Sequence, residues 1–257
     1  MNYYSRKEYL RNKAELHTAS VEKDYADDID LCVKSATIYE TGTDTSIIAS
    51  NNYSTEYDVN LDTVGETVVK YANSKDRVGI LNFASYKNPG GAFMNGSSAQ
   101  EEMICHDSIL YNVLSNTRFM DKFYLPNTKR LNHALYGDNL IFIPKILFTS
   151  CNTRIDVITC AAPNFGAYAR YNRVDREMYL SVLESRIDHI LFCAYKEGIE
   201  VLVLGAFGCG VFKNDPKDVA NIMSNLLNSK YKGVFKKVIF PIPDAKNRNI
   251  FKRYIGG

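Results

Sequence analysis

The chain has 257 residues, of which 46% are apolar, and its 31 basic and 29 acidic side chains leave a formal net charge of only +2. A chain of this length can bury a large core, and its weak net charge excludes tight non-specific nucleic-acid binding as its main property. The amino terminus has no apolar segment of the secretory kind, and the longest apolar runs are too short to cross a bilayer, so we expect a soluble cytoplasmic protein without membrane contact.

The first sixty residues have the composition of helices. Residues 4–30 are rich in Glu, Lys, Arg, Leu and Ala, and their apolar side chains recur at helical spacing. The face that we expect to be buried carries Leu10, Ala14 and Leu16. The segment Thr41–Ser54 is polar and predicts a loop. We therefore predict that residues 1–60 form a helical extension packed on one domain, which spans residues 61–257.

Strand and helix patterns alternate through the rest of the chain. The strand patterns span residues 77–84, 139–148, 155–162, 200–207 and 236–242. The helical patterns span residues 64–71, capped by Asp62, and residues 100–116, 173–198 and 216–228. This alternation predicts an α/β fold with three α/β/α layers around a mixed, mostly parallel sheet. Ligands of such sheets bind beyond the carboxyl ends of the strands, where loops follow Ala84 and Leu204.

The loop after Ala84 combines a glycine turn with two acids. It contains Asn88-Pro-Gly-Gly-Ala and, seven residues later, Gln100-Glu101-Glu102 at the predicted start of a helix. Adjacent glycines allow positive φ and a close approach to a ligand, and their free N–H groups can form an anion nest. Glutamates in a first helical turn also balance the helix dipole. Two carboxyl groups in one pocket repel, so one can keep the proton that a glycosidic leaving oxygen needs.

The loop after Leu204 contains three glycines within six positions and precedes a predicted helix. Its sequence, Gly205-Ala-Phe-Gly-Cys-Gly-Val-Phe212, has the form of a phosphate cradle, although it is neither a Walker loop nor a clean dinucleotide fingerprint. Phe212 is expected either to cover a base or ribose face or to pack in the core. Cys209 is a poor candidate for a nucleophile, because none of the four histidines has a context that marks it as a partner.

The six cysteines indicate no metal centre. None of them forms a Cys-x-x-Cys pair, and no histidine lies at ligand spacing from one of them. In an intracellular protein they are expected to be reduced thiols, and Cys32, Cys160 and Cys193 lie in apolar runs as small buried side chains would. The sequence therefore predicts neither a metal site nor a cofactor.

The order of these motifs resembles that of the bacterial-type poly(ADP-ribose) glycohydrolases. That family is marked by three glycines, six to eight residues, and then Gln-Glu-Glu; this chain has Ala92 in place of the third glycine. The segment Cys160-Ala-Ala-Pro-Asn164 resembles the intervening strand of the family, and Gly205–Pro216 resembles its diphosphate loop, so that the resemblance extends over residues 1–245. It implies a macrodomain fold that binds ADP-ribose or poly(ADP-ribose).

The resemblance also implies roles for individual residues. Glu102 would be the catalytic acid, and Glu101 would hold the distal ribose and help to place Glu102. The methyl group of Ala92 is expected to crowd the diphosphate or to restrict the backbone. The ligand contacts would come from Asn88, Gly90, Gly91, Ala92, Gln100, Gly208, Cys209, Gly210, Val211 and Phe212.

The function that the resemblance implies is hydrolysis of the ribose–ribose O-glycosidic bonds of poly(ADP-ribose). Three alternatives stay open: removal of single ADP-ribose units from protein or nucleic acid, a non-catalytic ADP-ribose reader, and an unrelated nucleotide enzyme. The adjacent acids favour catalysis, since a reader does not need them. The expected partners are ADP-ribose, its polymer and ADP-ribosylated macromolecules, with no sequence-specific nucleic-acid binding, and the protein is expected to be a monomer.

Overall fold

The computed structural model describes residues 3–47 and 52–255. Its strands are β1 (Thr37–Tyr39), β2 (Glu56–Asn60), β3 (Val78–Phe83), β4 (Leu140–Phe148), β5 (Thr153–Cys160), β6 (Val201–Val203) and β7 (Lys237–Pro241). Its α-helices are α1 (Tyr3–Asp24), α2 (Ala26–Ser35), α3 (Val64–Lys70), α4 (Gln100–Asp107), α5 (Leu110–Leu114), α6 (Thr117–Phe119), α7 (Leu125–Thr128), α8 (Phe165–Tyr171), α9 (Arg176–Lys196), α10 (Pro216–Asn228) and α11 (Ala245–Tyr254). A π-helical turn, Met120–Tyr124, joins α6 to α7, and single 3₁₀ turns occur at Phe93–Asn95 and Asn132–Ala134.

The strands form one mixed sheet in the order β1-β4-β5-β3-β6-β7-β2. The five strands from β5 to β2 are parallel, whereas β4 runs antiparallel to β5 and β1 runs antiparallel to β4. Because helices connect the parallel strands, both faces of the sheet are covered. The predicted fold class, three α/β/α layers around a mostly parallel sheet, is confirmed.

The core lies on both faces of the sheet, and successive residues of a strand enter opposite sides. In β3, Ile80 packs with residues of α1 to α5 on one face, and Leu81 packs with residues of α8 to α11 on the other. Both side chains are fully buried. This arrangement explains why the central strand β3 is apolar except for Asn82 instead of alternating between apolar and polar residues.

The first sixty residues are not only helical, as predicted, but also supply two strands of the sheet. Helix α2 ends at Ser35; β1 then pairs with β4 at one edge, and β2 pairs with β7 at the other. Edge strands are half exposed and short, so they lack the continuous apolar run that marks a buried strand. The division of the chain at residue 60 therefore separates β1 and β2 from the sheet to which they belong. Residues 48–51 of the predicted loop Thr41–Ser54 lie outside the described residues.

Helix α1 packs on the loop that leads into α4. Leu10, Ala14 and Val21 of α1 are buried, whereas Leu16, which was predicted to be buried, is 74% exposed. The contact is close: a Cβ atom on Gly96 would lie 2.1 Å from the Lys7 carbonyl oxygen. Helix α1 thus supports the segment between the glycine turn and the two acids.

Two helix boundaries differ from the predicted ones. Thr63, not Asp62, caps α3, because its hydroxyl accepts the Glu66 N–H while the Glu66 side chain accepts the Thr63 N–H. Asp62 instead forms an ion pair with Lys70. The helix predicted over residues 100–116 breaks at Ser108, whose hydroxyl donates to the Ile104 carbonyl and accepts the Leu110 N–H.

One fully buried cation connects α9 to the segment before β4. The Arg186 guanidinium donates to the Asp138 carboxylate at 2.7 Å, to the Leu135 carbonyl at 3.1 Å and to the Ala161 carbonyl. A buried charge is stable only when its donors are satisfied, and here the acceptors come from the chain before β4 and the end of β5. This residue therefore fixes the backbone next to the carboxyl ends of the strands.

Replacing Arg186 with Met is expected to lower the free energy of unfolding by about 3–5 kcal/mol, because it leaves the Asp138 carboxylate without its cationic partner and two buried carbonyls without their donor. Urea denaturation measures this loss. The matched control is Arg154→Met, which removes a half-exposed ion pair with Asp28 and should cost less than about 1 kcal/mol. Equal effects of the two changes would contradict the role given to Arg186.

Candidate active site

A cleft of about 440 Å³ opens at the carboxyl ends of the parallel strands. Strands β3 and β6 are hydrogen-bonded neighbours, so the loops that follow Phe83 and Val203 leave the sheet side by side. Phe83 and Phe207, one from each loop region, pack edge to face with ring centroids 5.6 Å apart. The cleft is lined mainly by apolar side chains, with few polar groups, as is common for sites that hold a small organic ligand.

The structure places only part of the predicted site in the walls of this cleft. The predicted residues that line it are Gln100, Gly208, Gly210, Val211 and Phe212. The remaining predicted residues, namely Asn88, Gly90, Gly91, Ala92, Glu101, Glu102 and Cys209, do not line it. Additional walls come from α3, from the Met103 and Asp107 face of α4 and from the segment after β7, none of which the sequence analysis included.

The glycine turn lies directly against the two acids. The Asn88 carbonyl accepts the Gly91 N–H at 3.1 Å, and both Gly90 and Gly91 have a φ of +63°. A Cβ atom on Gly91 would lie 2.6 Å from Glu102 Oε1 and 2.9 Å from Glu101 Oε2. Glycine is therefore required at position 91 for two reasons: the backbone has a positive φ there, and the two carboxyl groups leave no room for a Cβ atom.

Glu101 is 3% exposed and both of its carboxyl oxygens are held. Oε2 accepts the Ser85 N–H at 2.7 Å, and Oε1 accepts from the Asn82 side-chain amide at 3.2 Å. Burial, assisted by the nearby charge of Glu102, raises the pKa of Glu101 to about 8, even though these hydrogen bonds favour the ionised form. The pair of acids therefore keeps a proton near neutral pH.

Glu102 has one held oxygen and one free oxygen. Oε1 accepts the Ala92 N–H at 2.9 Å, whereas Oε2 is buried and has no hydrogen-bond partner within the described ranges. The side chain is 6% exposed, so neither acid points into bulk solvent. A carboxyl group that is fixed through one oxygen and unpartnered at the other is poised to exchange a proton with a group brought next to it.

Ala92 does not have the strained conformation that its methyl group was expected to create. Its φ is −111°, which any residue adopts, and its N–H is the donor to Glu102. Position 92 therefore contributes its backbone N–H to the acid and does not need the freedom of glycine. The expectation that the methyl group restricts the backbone is wrong; its effect on a bound diphosphate stays a prediction.

Gln100 joins α4 to β3. Its side-chain oxygen accepts the Phe83 N–H at 2.8 Å, and its side-chain nitrogen donates to the Leu81 carbonyl at 2.7 Å. Both polar ends are thus occupied by the strand, so Gln100 sets the position of the first turn of the helix, which carries Glu101 and Glu102. A direct contact of Gln100 with a ligand stays a prediction.

In the second loop, packing requires a glycine at position 208 but not at position 210. Gly208 has a φ of +71°, and a Cβ atom there would lie 2.2 Å from Asn214 Nδ2 and 2.6 Å from Ala162 Cβ. At Gly210 a Cβ atom would meet nothing within 4 Å. The neighbouring Val211 is 77% exposed. An open glycine next to an exposed apolar side chain, at the mouth of the cleft, is the arrangement expected where a ligand passes close to the backbone.

Cys209 is held as a thiol. Burial, together with the charges of Asp215 and Asp218, raises its pKa to about 12, so it is not ionised near neutral pH. This agrees with the expectation that Cys209 is a poor candidate for a nucleophile; a contact of Cys209 with a ligand stays a prediction. Within residues 3–47 and 52–255 no three His, Cys, Asp or Glu side chains are grouped closely enough to hold a metal ion.

Three groups of the site were not found from the sequence. Asn82, fully buried in β3, donates to Glu101, and the only signal of it was one amide within an apolar strand. Tyr86 and Tyr136 stack with their ring centroids 4.3 Å apart, and Phe212 packs edge-on against Tyr136 at 6.2 Å. These tyrosines come from distant segments, so no local pattern could have indicated their contact.

The chain is similar to known proteins both in its sequence and in its structure. Residues 5–150 match the family described as microbial-type PARG, catalytic domain. The solved structure of poly(ADP-ribose) glycohydrolase (PARG) from Thermomonospora curvata has a TM-score of 0.87 and 28% sequence identity, covering 96% of this chain and 100% of that one. The Deinococcus radiodurans enzyme in complex with ADP-ribose has a TM-score of 0.81 and 28% identity, covering 88% and 96% of the two chains.

A third structure, the Thermomonospora curvata enzyme bound to the inhibitor ADP-HPD, has a TM-score of 0.83 at 28% identity and covers 96% of this chain and 99% of that one. No curated protein matches the chain by sequence at a significant level. No helix in the described part of the chain is long and apolar enough to cross a membrane.

The contact between Gly91 and the two acids predicts a large cost for adding one methyl group. Gly91→Ala should lower the free energy of unfolding by about 2 kcal/mol or more, because it forces a left-handed conformation and displaces two buried carboxyl groups. Gly210→Ala is the matched control, and its free energy of unfolding should stay within about 0.5 kcal/mol of the wild-type value. A tolerated Gly91→Ala change would show that the acids do not rest on this turn.

The buried carboxyl group of Glu101 predicts how stability depends on pH. Its pKa in the folded protein is about 8, above the ordinary value of 4.5, so the folded state binds this proton more tightly than the unfolded state. The stability linked to this proton is fully present below pH 4.5 and is lost as the pH rises towards 8, with a slope of at most about 1.4 kcal/mol per pH unit.

The measurement is the free energy of unfolding of the wild type minus that of Glu101→Gln, taken from pH 5 to pH 9. We expect this difference to fall up to pH 8 and then to level off. Subtraction removes the contribution of other groups that titrate in the same range, such as the buried His106. A difference that stays constant or rises would contradict the raised pKa of Glu101.

Proposed function

The chain belongs to the family of microbial-type PARG catalytic domains, and on that premise we propose that it hydrolyses the ribose–ribose O-glycosidic bonds of poly(ADP-ribose) with Glu102 as its general acid and base. Membership of a family of glycohydrolase catalytic domains gives the reaction class, a glycosidase-type hydrolysis, and ADP-ribose as the ligand. The observation that supports Glu102 is its Oε2 atom, which is the one carboxyl oxygen of the pair without a hydrogen bond to any described residue.

The two glutamates have different surroundings, and we assign them different roles. Glu101 is held at both oxygens, by Ser85 and Asn82, so it positions the first turn of α4 and is available only to a group that replaces one of these donors. Glu102 is held at one oxygen by the Ala92 N–H. When two neighbouring carboxyl groups have different surroundings, these surroundings decide which of the two transfers the proton.

In the proposed reaction Glu102 donates its proton to the leaving ribose oxygen as the bond from C1″ to that oxygen breaks. The positive charge that develops on C1″ and the ring oxygen is stabilised by the anionic diphosphate of the same ADP-ribose unit. A water molecule then forms the new bond to C1″ and gives its proton to the Glu102 carboxylate, which restores the acid. The anionic diphosphate also favours the neutral form of acids close to it.

The cleft is suited to hold the adenosine end of the ligand. Its apolar walls, formed by residues such as Val64, Met103 and Ile104, fit an adenosine group better than a phosphate. The open backbone at Gly210, which lines the cleft, is suited to a close approach of the diphosphate. We propose that the ligand runs from the adenosine end in the cleft, past the loop Gly208–Phe212, to the glycine turn and Glu102.

Several finer statements belong to this proposal. The three-layer architecture fits a macrodomain, and we propose that assignment together with a monomeric state and a cytoplasmic location. Hydrolysis of single ADP-ribose units from protein or nucleic acid requires the same bound ADP-ribose unit. The two activities therefore differ only in the group that is attached to C1″. Comparing product release from polymer and from a singly modified protein distinguishes them, and binding without either product would indicate a reader.

Glu102→Gln is expected to lower turnover of poly(ADP-ribose) by at least about 1,000-fold, since the amide cannot donate the required proton, and to change the dissociation constant of ADP-ribose by less than about threefold. The assay pairs polymer degradation with calorimetric titration of ADP-ribose. Glu15→Gln, on the exposed face of α1, is the control and should behave as the wild type in both. Normal polymer degradation by Glu102→Gln would remove Glu102 from the mechanism.

A further inference from the structure

A group of exposed cations surrounds the aromatic cluster of Tyr86, Tyr136 and Phe212. None of these cations lines the cleft, and none has an ion-pair or side-chain hydrogen-bond partner in the described part of the chain. We call this group the basic rim; it consists of Lys87, Lys129, Arg130, Arg170, Arg173 and Lys213.

Contacts with the aromatic cluster bring the segments of the basic rim together. Lys87 follows Tyr86 in the chain, and the Tyr86 hydroxyl donates to the Arg130 carbonyl at 3.1 Å. The Gly166 N–H donates to the Phe212 carbonyl at 2.9 Å, which places the start of α8 beside Lys213. The rim therefore lies next to Phe212, on the side that carries the two tyrosines, while the other side of Phe212 belongs to the cleft.

The Asn172 side chain donates to the His133 carbonyl at 3.4 Å. This bond connects the end of α8, with Arg170 and Arg173, to the loop that carries Lys129 and Arg130. Four separate parts of the chain, which carry Lys87, Lys129 and Arg130, Arg170 and Arg173, and Lys213, thus come together next to one group of rings.

Left-handed backbone conformations are concentrated in the same place. Seven non-glycine residues in the described ranges have a positive φ, and five of them belong to the loop or to the rim. These five are Asn132, His133, Ala134, Tyr136 and Lys213. Asn and His adopt such conformations comparatively easily, but at Ala134, Tyr136 and Lys213 they are unfavourable and persist where the surrounding structure fixes them, commonly at ligand-binding sites. Here the buried Arg186, through the Leu135 carbonyl, is one of the groups that hold the loop.

The rim also exposes an aromatic side chain. Tyr171 is 75% exposed and lies in the chain between Arg170 and Arg173. An exposed aromatic ring flanked by cations is the combination that holds nucleotides, because the ring stacks on a base while the cations meet the phosphates.

The acids closest to the rim in sequence make their contacts with other parts of the described chain. Asp175 accepts the Met178 N–H at 3.0 Å as the cap of α9, and Asp215 accepts the Lys217 N–H at 2.9 Å as the cap of α10. Asp138 pairs with Arg186. The two capping carboxylates keep their negative charges, but neither forms an ion pair with a rim cation in the described part of the chain, so the six cations outnumber the acids next to them in sequence.

We propose that the basic rim binds the ADP-ribose unit on the leaving-group side of the scissile bond, with its cations on the diphosphate of that unit and Tyr171 on its adenine. This inference rests on the proposed function. When the adenosine end of the released unit fills the cleft and its C1″ lies at Glu102, the polymer continues past Phe212. The surface it meets there is the rim, and each further unit brings two negative charges.

The experiment compares an Arg170→Gln/Arg173→Gln variant with a Lys75→Gln/Lys232→Gln control. The control lysines are exposed and precede β3 and β7, so they lie at the amino ends of the parallel strands, opposite the cleft. For each protein we measure the dissociation constant of ADP-ribose by calorimetry, and KM and kcat for poly(ADP-ribose) at low and high ionic strength. Tyr171→Ala is measured in the same way.

For the Arg170→Gln/Arg173→Gln variant we expect KM for the polymer to rise about five- to tenfold at low ionic strength and the difference to shrink at high ionic strength, because screening weakens the contacts that were removed. Values of kcat and the affinity for free ADP-ribose should stay within about twofold of the wild type, since the cleft and the acids are unchanged. Tyr171→Ala should raise KM at both ionic strengths.

An unchanged KM in the rim variant, or an equal loss in the control, would overturn the proposal. So would an equal loss of affinity for free ADP-ribose. If the wild type binds ADP-ribose without degrading polymer, the proposed function fails, and the rim is then tested by polymer binding alone: weaker binding by the rim variant supports it. If single-stranded DNA binds as tightly as the polymer and depends equally on the rim, the surface is a nucleic-acid surface and the proposal is wrong.

Discussion

Two buried carboxyl groups rest against one glycine, and the geometry of the candidate active site depends on that contact. The Glu101 and Glu102 side chains occupy the space that a Cβ atom on Gly91 would need. The turn can therefore approach the start of α4 only with glycine at this position, and the Ala92 N–H is then in place to hold Glu102. Gln100 makes the corresponding attachment of the helix to β3. Together these contacts fix one acid through both oxygens and leave the other with a single free oxygen.

The sheet brings the separate parts of the site together. Because β3 and β6 are parallel neighbours, the acid-bearing loop and the second glycine loop leave adjacent strands at the same edge. Phe212 contacts the cleft on one side and the aromatic cluster on the other. The apolar cleft, the open backbone at Gly210, the pair of acids and the basic rim thus all belong to this edge of the sheet. Such a set of neighbouring surfaces suits a polymer of nucleotides better than a single small molecule.

Much of this architecture could be predicted from the sequence, because its determinants are local. The buried strands can be recognised by their runs of mostly apolar residues. The motif Asn88–Glu102 contains both a glycine turn and the start of a helix within fifteen residues. Edge strands β1 and β2 could not be predicted, since half-exposed strands lack that pattern. The Tyr86–Tyr136 stack and the support of Glu101 by Asn82 depend on contacts between distant segments. The conformation of Ala92 was misjudged because a glycine pattern does not show which of its positions needs a positive φ.

The most direct measurement of the central claim is a crystal structure of the protein with ADP-ribose bound. The account predicts that the adenosine group occupies the cleft beside Val64 and Ile104, and that Glu102 Oε2 lies about 2.6–3.2 Å from the hydroxyl oxygen on C1″. A complex in which this oxygen remains unpartnered while another side chain contacts C1″, or in which the adenosine group lies outside the cleft, would contradict it.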